Sequence, residues 1–147
     1  MDSKTIFRYA ERCLYAYPEN CIRLEALKKA LEDLRESASV RGQSYEPMSH
    51  GGVGDPVGTR AQRIADVEGE IKRLEAVTMP VALLKRDLTS DYVLPSSEKD
   101  EMGKIMTFYY FGANSNAEVA SKLGMSEKSV YRARCRLVRK AIRCLGL

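Results

Sequence analysis

Apolar residues recur at steps of three and four along nearly the whole chain, a spacing that builds helices and gives none of the strict alternation of a strand. Ile6, Ala10, Cys13 and Tyr17 form the first such stripe, behind Ser3 as its expected N-cap. Pro18 is expected to break that helix and to sit in the first turn of the next. Leu24, Leu27, Leu31 and Leu34 follow as an a/d seam. A third seam, Ile64, Val67, Ile71 and Leu74, is interrupted near Pro80 and resumes at Val81, Leu84 and Leu88. Each apolar set is a stripe, not a full circumference, so each must bury itself against a neighbour. The predicted fold class is all-α.

Between the second and third seams, Ser37 to Gly58 holds five of the ten glycines and two of the five prolines, with no apolar period. It reads as a long mobile loop. Its Gly-Gly-Val-Gly-Asp-Pro-Val-Gly run lacks the Lys-Ser/Thr of a phosphate cradle, and no strand precedes it. Helices with matching seams joined by such a loop imply an antiparallel hairpin or a dimerising coiled coil, and the sequence allows both. A second boundary falls where Asp-Tyr-Val-Leu-Pro-Ser-Ser interrupts the pattern between Thr89 and Ser97. The expected division is therefore 1–90, a helical hairpin or oligomerisation part with its loop at 37–58, and 97–147, a separate domain.

A chain of 147 residues suits one domain or two small ones, and 44% apolar content argues against wholesale disorder. No stretch approaches the roughly 18 consecutive apolar residues that a membrane helix needs. The charged N-terminus lacks the apolar core of a secretory signal, so a soluble cytoplasmic protein, without membrane attachment, is the expectation. Cys13, Cys21, Cys135 and Cys144 show no paired short spacing and have only His50 for company, which argues against zinc and for reduced thiols. No nucleophile or metalloprotease motif is present, so neither an enzyme nor a cofactor is expected.

Charge is unevenly placed. From Ser115 to Leu147 there are eight basic residues against two acids, Glu118 and Glu127, a balance of +6. The other 114 residues carry sixteen basic side chains against eighteen acids. A near-neutral body with a basic C-terminal segment points to a polyanionic partner.

Three short helices are predicted in that last third. The first runs from about Glu98 to Tyr110, with Ser97 and Asp100 at capping-box spacing and Met102, Ile105, Met106 and Tyr109 as its apolar side. Gly112 is expected to end it in the left-handed conformation. The second opens with Ser115-Asn116-Ala117-Glu118 and ends at Leu123-Gly124; the third opens at Ser126 and runs to about Leu145. A helix-turn-helix needs a small residue where its helices cross, a turn tolerant of positive φ, and a branched apolar residue pointing back into the angle. Ala120, Gly124 and Val130 answer those demands in order. Val130, Ala133, Leu137, Ala141 and Leu145 then form the core side of the last helix. Glu127, Lys128, Ser129, Tyr131, Arg132 and Arg134 surround Val130 and include the first-turn positions that enter a major groove. Arg132, Arg136, Arg139 and Arg143 follow as one basic stripe with no acid after Glu127. A double-stranded DNA face is predicted on those residues.

The run from Asn114 to Arg132, Asn-Ser-Asn-Ala-Glu-Val-Ala-Ser-Lys-Leu-Gly-Met-Ser-Glu-Lys-Ser-Val-Tyr-Arg, resembles the helix-turn-helix of sigma-factor region 4. The overall layout is similar to small phage regulators of the RinA and ArpU type. That resemblance implies a phage or prophage activator of late-operon transcription, with DNA and host RNA polymerase as partners. By the same analogy Glu127, Lys128 and Arg132 fall where region 4 reads bases. The chain has glutamate then lysine where primary sigma factors tend to show arginine then glutamate, which argues against the usual −35 element as target. A phage antiterminator docked on polymerase and a small terminase subunit that binds DNA for packaging use the same kind of module and stay open. The N-terminal seams also imply a homodimer or higher oligomer.

Overall fold

The computed structural model describes residues 1–43 and 56–147, and among these all regular secondary structure is helical, with no strand. The elements are α1 (Ser3–Gln43), α2 (Pro56–Thr89), α3 (Glu98–Ile105), a π-helical turn (Met106–Phe111), α4 (Asn116–Leu123) and α5 (Glu127–Cys144).

Both long helices run further than their prolines and glycines suggest. Pro18 stands inside α1 and Pro80 inside α2, where each removes one backbone hydrogen bond at a cost of about 3 kcal/mol. Packing on either side outweighs that loss. Leu14 is buried just before Pro18, Tyr17 stacks on Phe111 at 4.9 Å, and Val81 is buried directly after Pro80. Each large apolar side chain so buried contributes roughly 1.5–3 kcal/mol. The expected break at Pro18 is thus a continuation, as is the interruption at Pro80. The start of α1 is also corrected. Asp2, not Ser3, caps it, its carboxylate accepting the Thr5 N–H at 2.7 Å. That hydrogen bond to the Thr5 backbone holds the Asp2 carboxyl below its ordinary range.

The expected loop from Ser37 to Gly58 is shorter than predicted at both ends. Helix α1 extends to Gln43, since propagating a formed helix costs little per residue. Helix α2 opens on Pro56, whose fixed φ and missing N–H suit a first helical position. The remainder of that expectation lies outside the described residues.

Two compact units emerge, and they do not divide the chain between residues 90 and 97. One comprises Met1–Asn20 with Ala76–Leu147, the other Cys21–Glu75. The physical reason is burial. A segment of some fifty residues with three short helices covers too little apolar surface alone. It borrows the first turns of α1 and the last turns of α2 as its partner stripes. Ala10, Cys13 and Leu14, with Val81, Leu84 and Leu88, join one core with Met102, Ile105, Met106, Val119, Val130, Leu137 and Val138.

Within Cys21–Glu75, Leu24 and Ile71 are buried, and Leu27, Leu31, Leu34, Ile64, Val67 and Leu74 are half-buried. Arg23 pairs with Glu70, Lys28 with Glu75 at 3.2 Å and Arg35 with Glu68 at 2.8 Å. These pairs are exposed, so they set register more than stability.

In the first unit, Ser97 caps α3 by accepting the Asp100 N–H at 3.2 Å, as its spacing predicts. The helix then widens into the π turn, where Gly112 donates to the Thr107 carbonyl at 2.9 Å. The wider turn shifts the inward register, so Tyr110, not Tyr109, is the buried ring. Gly112 does not take the left-handed conformation expected of it; its φ is −86°, and Ala113 turns the chain instead at φ 53°. Asn114 steadies that turn, its side-chain amide donating to the Phe108 carbonyl at 2.9 Å.

Candidate nucleic-acid interface

Helices α4 and α5 pack on each other across a three-residue turn of Gly124, Met125 and Ser126. Ser115 caps α4 and Ser126 caps α5, accepting the Glu118 and Ser129 N–H groups at 3.2 and 3.1 Å. Gly124 closes α4 at φ 64° and ψ 33°, and its N–H donates to the Ala120 carbonyl. A side chain there would meet open space, so the left-handed backbone, not crowding, is what calls for glycine. Val119 and Ala120 from α4 and Val130 and Ala133 from α5 are buried in the angle between the helices. Met125 and Leu123 pack at its edge.

The inner face of α5 is Val130, Ala133, Leu137, Val138 and Ala141, all nearly inaccessible. Leu145, predicted on that side, is half-buried at the C-cap, its N–H donating to the Ala141 carbonyl at 2.9 Å.

The basic residues of α5 separate into two sets. Arg134 and Arg136, predicted on the free ridge, are engaged inside the unit. The Arg134 guanidinium donates to Glu11 Oε1 at 2.9 Å and to Asn116 Oδ1 at 3.3 Å, and lies 4.0 Å over the Tyr109 ring. Tyr110 donates its hydroxyl to the same Glu11 oxygen at 2.8 Å. Burial would lower the Arg134 pKa, but its hydrogen bonds with Tyr110 and Glu11 prevail and raise it. Arg136 reaches Glu101 at 3.3 Å and Glu98 at 3.6 Å, both on α3. Lys140 pairs with Asp87 of α2 at 3.7 Å. The sequence shows no acid on α5 beyond Glu127; the partners come from other helices, at separations no local spacing rule covers.

The second set is unpaired. Lys128, Arg132, Arg139 and Arg143 are exposed, and none has a carboxylate within 4.0 Å among the described residues. At 3.6 residues per turn they fall within an arc of about 60° and span about 22 Å of helix. Tyr131, 57% exposed, and Glu127 border this arc at its N-terminal end. Ser129 is occupied with the cap, its N–H and hydroxyl both against Ser126 Oγ. Four cations in one arc repel one another, an arrangement that a polyanion relieves.

Other chemistry has little to stand on among the described residues. The four cysteines are free, and burial pushes the Cys13 thiol up, leaving it an apolar core residue. No group of three or more His, Cys, Asp or Glu residues is placed to hold a metal ion, and no helix is long and apolar enough to cross a membrane.

Compared with protein-family models, curated proteins and solved structures, the chain matches none.

Proposed function

We propose that the protein is a sequence-specific double-stranded DNA-binding regulator of transcription. In this reading α4 and α5 are a helix-turn-helix of the sigma region 4 kind, with α5 as the helix that enters the major groove. One observation carries the proposal: the basic residues of α5 are sorted. Those toward the flanking helices are matched with carboxylates from α1, α2 and α3, whereas Lys128, Arg132, Arg139 and Arg143 are left free along one outward arc. Side chains in the first turns of such a helix read base edges, and distal cations hold phosphates. Glu127, Lys128 and Arg132 take the first role here, and Arg139 and Arg143 the second. Tyr131 borders the readers.

The resemblance to RinA and ArpU type regulators extends this to activation of phage or prophage late genes in the bacterial cytoplasm, with host RNA polymerase as a partner. Selection of bound duplexes from a random pool tests the reading. A recovered consensus supports it; recovery of unselected sequence contradicts it. Run-off transcription on the selected site then separates the roles. An activator is required at initiation, an antiterminator acts only after it, and a packaging protein alters neither.

A further inference from the structure

Helix α1 carries a second basic row that the reading of α5 leaves unused. Lys4, Arg8 and Arg12 recur at steps of four, all exposed, and none pairs with a carboxylate among the described residues. On a regular helix they share an arc of about 80°. An ordinary solvated face would set acids at those four-residue steps, whereas these cations face one another. Both acids of the same turns are occupied. Asp2 accepts the Thr5 N–H, and Glu11 Oε1 is shared by Arg134 and Tyr110. With Glu11 neutralised by Arg134, three cations in these turns stand against one charged acid, Asp2, and the local balance is positive.

Its position gives the row a role. Glu11 adjoins the row at one edge, and its ion pair with Arg134 fixes this turn of α1 against the first half of α5. Tyr15, one turn further along, meets the Tyr110 ring at 4.8 Å and so continues the same contact. Arg134 itself lies one turn from Tyr131, at the N-terminal border of the free arc on α5. The row and the arc thus belong to adjoining helices of one compact unit.

We infer that Lys4, Arg8 and Arg12 form a second phosphate contact of the same interface, gripping the duplex backbone beside the segment that α5 reads. This rests on the duplex-binding reading above. The ligand is the phosphodiester backbone of double-stranded DNA, recognised by charge and spacing without base choice.

The test uses the full chain and a selected duplex of roughly 30 base pairs, read by fluorescence anisotropy at several salt concentrations and by hydroxyl-radical footprinting. The variant is Arg8→Gln with Arg12→Gln. A charge-matched control carries Lys72→Gln with Arg73→Gln, both exposed and in the other compact unit. All four positions are on the surface, and circular dichroism checks that helix content is kept. The α1 variant should bind roughly 10–100-fold more weakly near 0.1 M salt, with a salt slope lower by about two. Its footprint should lose protection at one flank, with base preference unchanged. The control should bind as the parent does. Parental affinity, slope and footprint in the α1 variant, alongside a weakened Arg132→Ala, would overturn this inference and leave the duplex reading standing. An equal loss in the control would also overturn it, since net charge would then explain the effect. A parent protein that binds no duplex at low salt would overturn both.

Discussion

Glu11 and Arg134 lie 123 residues apart in the chain and 2.9 Å apart in space. Their pair joins the first turns of the chain to the helix that carries the outward arc of free cations. It also explains why Arg134 is not part of the outward arc. Its charge is spent on Glu11, and its planar face on Tyr109. Replacing Arg134 by alanine should lower the unfolding free energy by about 1.5–3 kcal/mol, because charge-assisted bonds and a stacked ring are lost together. Arg139→Ala should stay within about 0.5 kcal/mol of the parent, as an exposed and unpaired position. Urea denaturation measures both. Equal midpoints for parent and Arg134→Ala would contradict the structural role.

Two glycines separate crowding from backbone conformation. A Cβ on Gly103 would stand 2.7 Å from the Leu88 carbonyl oxygen, a backbone atom that cannot turn aside. Gly103→Ala should therefore destabilise despite its helical gain of about 1 kcal/mol, with overpacking costing typically 1–3 kcal/mol. Gly124→Ala meets no neighbour but must hold φ at 64°, which costs roughly 1–2 kcal/mol. Gly124→Val should cost more, since a β-branched residue resists positive φ. Thermal unfolding of the three variants checks the order; Gly103→Ala at or above the parental midpoint would refute the close approach.

The legible part of this fold follows from local rules. Ser97, Ser115, Ser126 and Gly124 act within a turn or two of their own positions, so their roles could be read directly and are found in place. Val130 and Leu137 show their burial through periodicity alone. What the sequence concealed is non-local. Pro18 carries a strong local signal to stop, and only packing from distant residues such as Phe111 overrides it. Tyr110 replaces Tyr109 in the core because a π turn shifts the period, and nothing in Met-Thr-Phe-Tyr-Tyr-Phe announces one. Arg136 reads as part of a stripe until α3 brings Glu101 to it. The row of Lys4, Arg8 and Arg12 is legible only as a charge period of four, a signal that apolar spacing does not carry.

Burial raises the Tyr110 and Tyr15 phenols above the ordinary tyrosine value, and contact with Tyr109 adds to the shift of Tyr15. A raised pKa favours the protonated phenol in the folded state. The associated stability is present below the unfolded value near pH 10 and is lost as pH rises through the folded one. Absorbance titration at about 295 nm should show parent and Tyr110→Phe superimposing near pH 10 and diverging only at higher pH, as the parent unfolds. Divergence already at pH 10 would mean that Tyr110 is open to solvent.

The seam of Leu27, Leu31 and Leu34 is only half-buried within one chain, and Ile22 is 70% exposed. A self-associating protein should cover them with a second copy. Sedimentation velocity at high micromolar concentration should then show a dimer or larger species, and Ile22→Lys should shift it toward monomer. A parent that sediments as a monomer would contradict self-association and favour a regulator that acts singly.

The central claim, that the free arc on α5 reads one duplex sequence, is tested most directly by comparing Arg132→Ala with Arg143→Ala on selected and scrambled duplexes at two salt concentrations. Arg132→Ala should cost roughly 1–3 kcal/mol on the selected duplex and little on the scrambled one, because a base contact is lost. Arg143→Ala should weaken both duplexes alike and lower the salt slope by about one, because a phosphate contact is lost. Equal losses from both substitutions on both duplexes would mean that α5 merely rests on the backbone, and the sequence-specific account would be wrong.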